Sequence, residues 1–117
     1  MIGIDIVYIP RFQSLIEGTN STKLIQSIFS ESELQQCKNK NDEARLQSLA
    51  ARYAAKEAVI KASKGRLNIS DLKNITIIQY PQGYLESIVH FKDGTESYYE
   101  ISISHDGEYA VGVAKEK

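Results

Sequence analysis

The chain of 117 residues has 14 basic and 15 acidic side chains, a net charge of −1 and 42% hydrophobic residues. This length suits one domain over residues 1–117, and the nearly neutral charge excludes the basic surface of a typical nucleic-acid-binding protein. No apolar run approaches the ~18 residues of a membrane span, and the N-terminal residues lack the pattern of a signal peptide. We therefore expect a cytoplasmic protein without a membrane segment.

In residues 1–7 the isoleucines occupy every second position, which is the pattern of a β-strand with two different faces. The isoleucines share one face and the other residues share the opposite one: Ile2, Ile4 and Ile6, against Gly3, Asp5 and Val7. Asp5 is unusual because a carboxylate is disfavoured in the middle of a β-branched strand. Either that face is solvated on an edge strand, or the carboxylate has a function.

Helices are predicted next along the chain. Residues 11–16 and 23–29 favour two short helices, with a loop at 18–22 between them. Ser30 and Glu33 have the spacing of a capping box, which starts a third helix near Glu31. A long central helix follows, capped by Asn41 or Asp42 and stopped by Gly65.

The faces of the central helix raise a question about two charged residues. One stripe is predicted to face the core: Leu46, Leu49, Ala50, Tyr53, Ala54, Glu57, Ile60 and Lys61. A second stripe consists of alanines: Ala51, Ala55, Ala58 and Ala62. The remaining side is predicted to be solvated: Arg45, Arg52, Lys56 and Ser63. Glu57 and Lys61 thus stand among apolar residues, either as an ion pair at the wet rim of the core or as functional groups.

The second half of the chain has the pattern of an antiparallel meander. Strands are predicted at 75–80, 84–91, 96–104 and 108–114, and the Asp-Gly pairs at 93–94 and 106–107 favour tight turns. The predicted class is therefore α+β, a mainly antiparallel sheet with one long central helix packed on it and several short helices. His105 lies at a strand end, where a histidine can be structural or functional.

Asp5, Glu57, Lys61 and His105 together suggest phosphoryl transfer. Two carboxylates suit Mg²⁺, which completes its shell with water and phosphate oxygens, and a lysine one helical turn away would meet phosphate charge. Spacing alone leaves a chance assembly of these four residues open.

Three segments resemble the signature segments of the 4′-phosphopantetheinyl transferases, specifically the small holo-acyl-carrier-protein synthase type. They are residues 3–7 with Ile9 and Arg11, the string Ala-Arg-Tyr-Ala-Ala-Lys-Glu-Ala-Val-Ile-Lys at 51–61, and Ser-Ile-Ser-His-Asp-Gly-Glu-Tyr-Ala at 102–110. Their order and spacing match along almost the entire chain.

The resemblance implies transfer of the phosphopantetheine arm of coenzyme A to a serine hydroxyl of an acyl or peptidyl carrier protein. Asp5 and Glu57 match the family's Mg²⁺ ligands, and Glu57 is also a candidate proton acceptor. Lys61 matches the lysine that meets coenzyme A phosphates, and His105 matches the histidine of the same site. Arg11 matches a basic residue on the helix that receives the carrier. A homotrimer with coenzyme A between subunits is also implied, with His105 reaching the site of a neighbouring subunit.

Three departures from the family pattern affect these expectations. The usual glycine-rich loop is replaced by residues 62–66 with one glycine, where Lys64 and Arg66 are candidates for phosphate contacts. The family's Gly-x-Pro motif before the third strand pair is absent, and residues 81–83 have its glycine and proline in the other order. The docking helix has few cations beyond Arg11, so we expect a carrier other than the strongly acidic one of fatty-acid synthesis, or a slow enzyme.

Two other functions stay open at this point. One is a non-catalytic module that binds coenzyme A or a carrier protein with the same fold. The other is an interaction domain whose core charges are merely satisfied.

Overall fold

The computed structural model describes residues 1–117, which form five strands, four α-helices and a short 3₁₀ helix. In chain order the elements are β1 (Ile2–Tyr8), α1 (Ile9–Ile16), α2 (Ser21–Ile28), α3 (Glu31–Cys37), α4 (Asp42–Ala62), the 3₁₀ helix (Ile69–Asn74), β2 (Ile75–Gln79), β3 (Leu85–His90), β4 (Glu96–Asp106) and β5 (Tyr109–Glu116). None of the helices has both the length and the apolarity needed to cross a membrane.

The five strands form one antiparallel sheet in the order β1-β5-β4-β3-β2. The tight turns fall at both predicted Asp-Gly pairs, and the N-terminal strand joins the sheet by pairing with β5. The α+β class with a long helix on the sheet is therefore confirmed.

Side-chain caps mark the starts of α3 and α4. The Ser30 side chain accepts a hydrogen bond from the Glu33 backbone and the Glu33 side chain accepts one from the Ser30 backbone, as the capping box predicts. Asn41 caps α4 by accepting from the Ala44 N–H at 2.8 Å. The loop predicted at 18–22 is wrong in its second half, because α2 already begins at Ser21.

Helix α4 covers one face of the sheet. Its alanines meet the small residues of the neighbouring strand β5, where Ala110, Gly112 and Ala114 are buried. Away from the sheet, α4 is also contacted by α1, α3 and the 3₁₀ helix. The helix is thus buried against the sheet and against these helices, whereas its first residues and Lys61 stay exposed.

This double burial corrects the predicted faces of α4. Arg52, Lys56 and Ser63 are buried instead of solvated, whereas Glu57 is half-buried and Lys61 is exposed. The predicted stripe fails because it assumes a single buried side, while the elements that cover Lys56 come from distant parts of the chain.

The opposite face of the sheet is uncovered at β1. Ile2, Ile4 and Ile6 are 68%, 59% and 63% exposed. In the sheet register Ile4 lies beside Val113 and Ile6 beside Val111, so these side chains form a continuous apolar strip.

Candidate active site

The backbones of β1 and α4 touch with almost no side chain between them. A Cβ atom added at Gly3 would lie 1.9 Å from the Ala58 carbonyl oxygen, and one added at Gly112 would lie 2.5 Å from the Ala55 nitrogen. Glycine on the sheet and alanine on the helix are therefore what allow this close approach. The approach brings Asp5, two residues after Gly3 on the same face of β1, against α4.

Asp5 is joined to α4 by Lys61. The Lys61 ammonium donates to Asp5 Oδ1 and to the Ile4 carbonyl oxygen, both at 3.0 Å. The Lys61 side chain is 55% exposed and that of Asp5 is 18% exposed. The pair is therefore open enough for Lys61 to turn to an incoming anion, since an exposed ion pair is weak.

A cleft of about 270 Å³ opens beside Asp5. Asp5, Tyr53 and Glu57 provide its polar wall. The other side is formed by the end of β1 and by α1: Tyr8, Arg11, Phe12 and Leu15. The Arg11 guanidinium lies over the Tyr8 ring, 5.7 Å from its centroid. The predicted carboxylates and the predicted docking residue Arg11 thus share one cleft.

The charge on Glu57 is disfavoured in this cleft. Burial raises the pKa of Glu57, and the carboxylate of Asp5 raises it further, whereas a hydrogen bond from Tyr53 and the charge of Lys61 lower it. Burial together with the nearby Glu57 charge raises the pKa of Tyr53 to about 12, so the phenol stays a neutral donor. Two neighbouring carboxylates of this kind favour a bound cation.

The donor set of the cleft fits Mg²⁺. Asp5 and Glu57 supply hard oxygen ligands, and no third acidic, histidine or cysteine side chain joins them. Mg²⁺ usually takes one or two carboxylates and fills its other positions with water and phosphate oxygens.

His105 lies elsewhere, in a second cleft of about 290 Å³ along α4. This cleft is lined by Lys40, Arg52 and His105 and shares no residue with the carboxylate cleft. Within one chain, the structure therefore does not bring His105 to Asp5 and Glu57.

Arg52 in the second cleft is a residue that the sequence reasoning missed. It is 2% exposed, and its guanidinium donates only to neutral acceptors: Ser48 Oγ at 2.7 Å, Gln36 Oε1 at 3.0 Å and Gln79 Oε1 at 3.3 Å. Its Nε is buried without a partner. A buried cation without a carboxylate favours an anion nearby. The helical pattern of the sequence gave no signal for a buried Arg52, because that pattern predicts Arg52 on the solvated side of the helix.

Lys64 and Arg66 join neither cleft. Arg66 donates to Glu116 Oε2 at 2.6 Å and to the Tyr99 hydroxyl at 3.1 Å, and it lies over the Phe91 ring. Lys64 is exposed just after α4, with a positive φ of 57°. Their predicted phosphate contacts stay predictions, and for Arg66 such a contact would compete with Glu116.

The structure has a long helix against an antiparallel sheet, with a dicarboxylate cleft and a cationic cleft along that helix, and these groups suit phosphoryl transfer. The family model of the 4′-phosphopantetheinyl transferase superfamily matches residues 1–114. The chain belongs to this superfamily and to its holo-[acyl-carrier-protein] synthase branch, as the resemblance predicts.

Relatives and solved structures support this membership over nearly the whole chain. A holo-[acyl-carrier-protein] synthase of Geotalea daltonii is 36% identical, with 95% of this chain and 92% of that protein covered. One of Chlamydia pneumoniae is 37% identical, with coverages of 97% and 93%. The crystal structure of the Helicobacter pylori synthase in complex with coenzyme A has a TM-score of 0.79 and 29% identity, and all of both chains is covered.

Proposed function

We propose that this chain is a cytoplasmic enzyme that transfers the 4′-phosphopantetheine arm of coenzyme A to a serine hydroxyl of an apo acyl or peptidyl carrier protein. Adenosine 3′,5′-bisphosphate leaves when the bond between the two phosphates of the pyrophosphate breaks and the serine oxygen forms the new bond. The observation that carries the proposal is the shared cleft of Asp5 and Glu57 beside Lys61, in a chain of this family.

Asp5 and Glu57 would hold Mg²⁺ in this reaction. When bound, the ion would neutralise part of the negative charge of the pyrophosphate. Glu57 accepts the proton of the serine hydroxyl, directly or through one water.

The cations of both clefts would bind coenzyme A. Lys61 can leave Asp5 and meet a pyrophosphate oxygen, because its side chain is 55% exposed. Arg52, Lys40 and His105 form a cleft that suits a phosphate group at some distance from the carboxylates. Lys64 and Arg66 are further candidates at the exit of α4.

A homotrimer would unite the two clefts. The apolar strip of Ile2, Ile4 and Ile6 is exposed in one chain, and a second copy covering it would remove this surface from water. In such an assembly, His105 of one subunit would face the Asp5 and Glu57 cleft of its neighbour, and coenzyme A would lie between them.

The carrier protein would dock on α1. Arg11 is the cation of this surface, and Leu15, 49% exposed, adds an apolar contact. One arginine beside apolar side chains suits a carrier that presents few acidic residues next to its serine.

A mass measurement tests the proposed function. The chain is incubated with MgCl₂, coenzyme A and a panel of apo carrier proteins, and the intact mass of each carrier is followed for addition of the arm. We expect modification by the parent protein and a loss of about 100-fold or more in Asp5→Asn and Glu57→Gln.

Glu17→Gln is the matched control. Glu17 is an exposed glutamate just after α1 that accepts only from the Gln13 side chain, so its loss should leave the rate unchanged. Binding of coenzyme A without modification of any carrier would support the non-catalytic module instead.

A further inference from the structure

Lys56 and Glu33 form a fully buried ion pair that the reaction above does not use. Lys56 Nζ lies 2.6 Å from Glu33 Oε1, and both side chains are 0% exposed. Glu33 is 23 residues earlier in the chain, at the start of α3. The pair therefore ties α4 to a separate part of the fold.

Every polar hydrogen of the Lys56 ammonium has an acceptor. It donates to the Ile28 carbonyl at 2.6 Å, to Glu33 at 2.6 Å and to the Leu72 carbonyl at 3.2 Å. These acceptors belong to the end of α2, to α3 and to the 3₁₀ helix. Three directional bonds to three segments hold this point of α4 in one orientation.

Glu33 is equally well satisfied. Its Oε1 also accepts from the Ser30 N–H at 2.8 Å, and its Oε2 accepts from the Ile77 N–H of β2 at 3.2 Å. The Glu33 carboxylate that binds Lys56 is thus itself held by the backbone before α3 and by the sheet.

Stability alone is a weak reason for this pair. Both side chains are 0% exposed, so removal of the two charges from water has a substantial cost. Buried ion pairs can often be replaced by apolar residues of similar volume without loss of stability. A role in orientation accounts better for the pair.

The sheet side of α4 cannot provide that orientation by itself. There, the backbone of α4 lies directly against Gly3 and Gly112, and a contact without interlocking side chains fixes how closely the helix approaches more than how it is turned about its axis. Lys56 precedes Glu57 directly, so the same bonds that hold Lys56 also set the direction in which Glu57 leaves the helix.

We propose that Lys56 is a positioning residue for Glu57: its bonds to Glu33, Ile28 and Leu72 fix the rotation of α4 that turns Glu57 toward Asp5. This inference rests on the proposed function, in which Asp5 and Glu57 act together. Side-chain ends lie about 5–6 Å from a helix axis, so a turn of about 10° would move the Glu57 carboxylate by roughly 1 Å.

The decisive variant replaces both partners, Glu33→Met with Lys56→Met, because a single replacement would leave a buried charge unpaired. We expect a lower thermal midpoint, because four backbone groups that bond to the pair lose their partners: the N–H groups of Ser30 and Ile77 and the carbonyls of Ile28 and Leu72. Below that midpoint, where the variant is folded, we expect a kcat for carrier modification that is about 100-fold lower. The KM for coenzyme A should change much less. Mn²⁺ alone, titrated by calorimetry, should bind more weakly than to the parent.

Glu33→Asp provides a second, milder variant if the double variant does not fold. This variant keeps both charges but shortens the acidic side chain at position 33 by one methylene. The same changes in kcat and Mn²⁺ affinity should therefore occur to a smaller degree. Val59→Ala is the matched control: Val59 is fully buried on the same helix, and its truncation should lower the midpoint while kcat and Mn²⁺ affinity stay unchanged.

The proposal is overturned if the folded variants keep the kcat and Mn²⁺ affinity of the parent, or if Val59→Ala loses as much of both. If the parent modifies no carrier but binds Mn²⁺, the proposed function fails and the calorimetric comparison alone decides the role of Lys56. A parent that neither modifies a carrier nor binds Mn²⁺ refutes both.

Discussion

The close approach of Gly3 to α4 can be tested by adding one methyl group to β1. In Gly3→Ala the new Cβ would lie 1.9 Å from the Ala58 carbonyl oxygen, whereas ordinary contact begins at 3.4 Å. The obstacle is helix backbone, so it cannot turn aside as a flexible side chain would. Strand β1 must therefore move away from α4 by about 1.5 Å, the difference between these two distances.

Such a displacement would affect both folding and the site. Overpacking of this kind costs roughly 1–3 kcal/mol, and here the backbone origin of the clash favours the upper part of that range. Asp5 lies two residues away on the same face and would move with the strand by about 1 Å, which lowers the transfer rate by about 100-fold.

Chemical denaturation gives the loss of stability, and the intact-mass assay gives the rate. Gly18→Ala is the control, because its Cβ would meet its nearest neighbour, the Ser14 carbonyl oxygen, at 3.5 Å, which is an ordinary contact. The reasoning is refuted if Gly3→Ala has the stability and rate of the parent protein, or if Gly18→Ala suffers as much.

Three further changes test other features. Arg52→Met should raise the KM for coenzyme A by about 10-fold or more while kcat changes less, because a charge-assisted hydrogen bond contributes about 1.5–3 kcal/mol; steady-state kinetics measures this, and an unchanged KM contradicts it. Ile4→Asp should yield folded monomers in sedimentation velocity, since Ile4 is 59% exposed in the single chain; a persisting trimer would exclude this strip as the interface. Glu116→Gln should lower the free energy of unfolding at neutral pH by less than about 1 kcal/mol, because a partly exposed ion pair with Arg66 is lost. The hydrogen bond from Arg66 lowers the pKa of Glu116, so the pair stabilises the fold above the ordinary glutamate pKa and ceases to do so as pH falls through the lowered value. The free energies of unfolding of the parent protein and of Glu116→Gln, measured by chemical denaturation, should therefore become equal in acid. A difference between them that is independent of pH would contradict a role of the Arg66–Glu116 pair.

The strands and turns could be predicted because their signals are local. Alternation marks β1 over seven residues, and Asp-Gly pairs mark the turns before β4 and β5. The capping box of Ser30 and Glu33 is likewise complete within four residues. The 3₁₀ helix at Ile69–Asn74 carries no comparable apolar period and was not predicted.

The carboxylate cleft could also be predicted in part. Asp5 and Glu57 interrupt apolar patterns, and a charge in such a place needs a partner. The burial of Lys56 and Arg52 could not be predicted in this way, because their partners Glu33, Leu72 and Gln79 are brought to α4 only by the tertiary fold. A helix buried on two sides has no single apolar face for a periodicity to reveal.

The glycine contact between β1 and α4 has a consequence for the motions of the protein. Most edge strands are separated from the layer behind them by side chains, which can yield, and they open more easily than the core. Here Gly3 and Ala58 leave no such yielding layer. The amides of β1 that bond to β5 should therefore exchange their hydrogens only when α4 itself detaches. Their exchange should be as slow as that of core amides, although β1 is an edge strand.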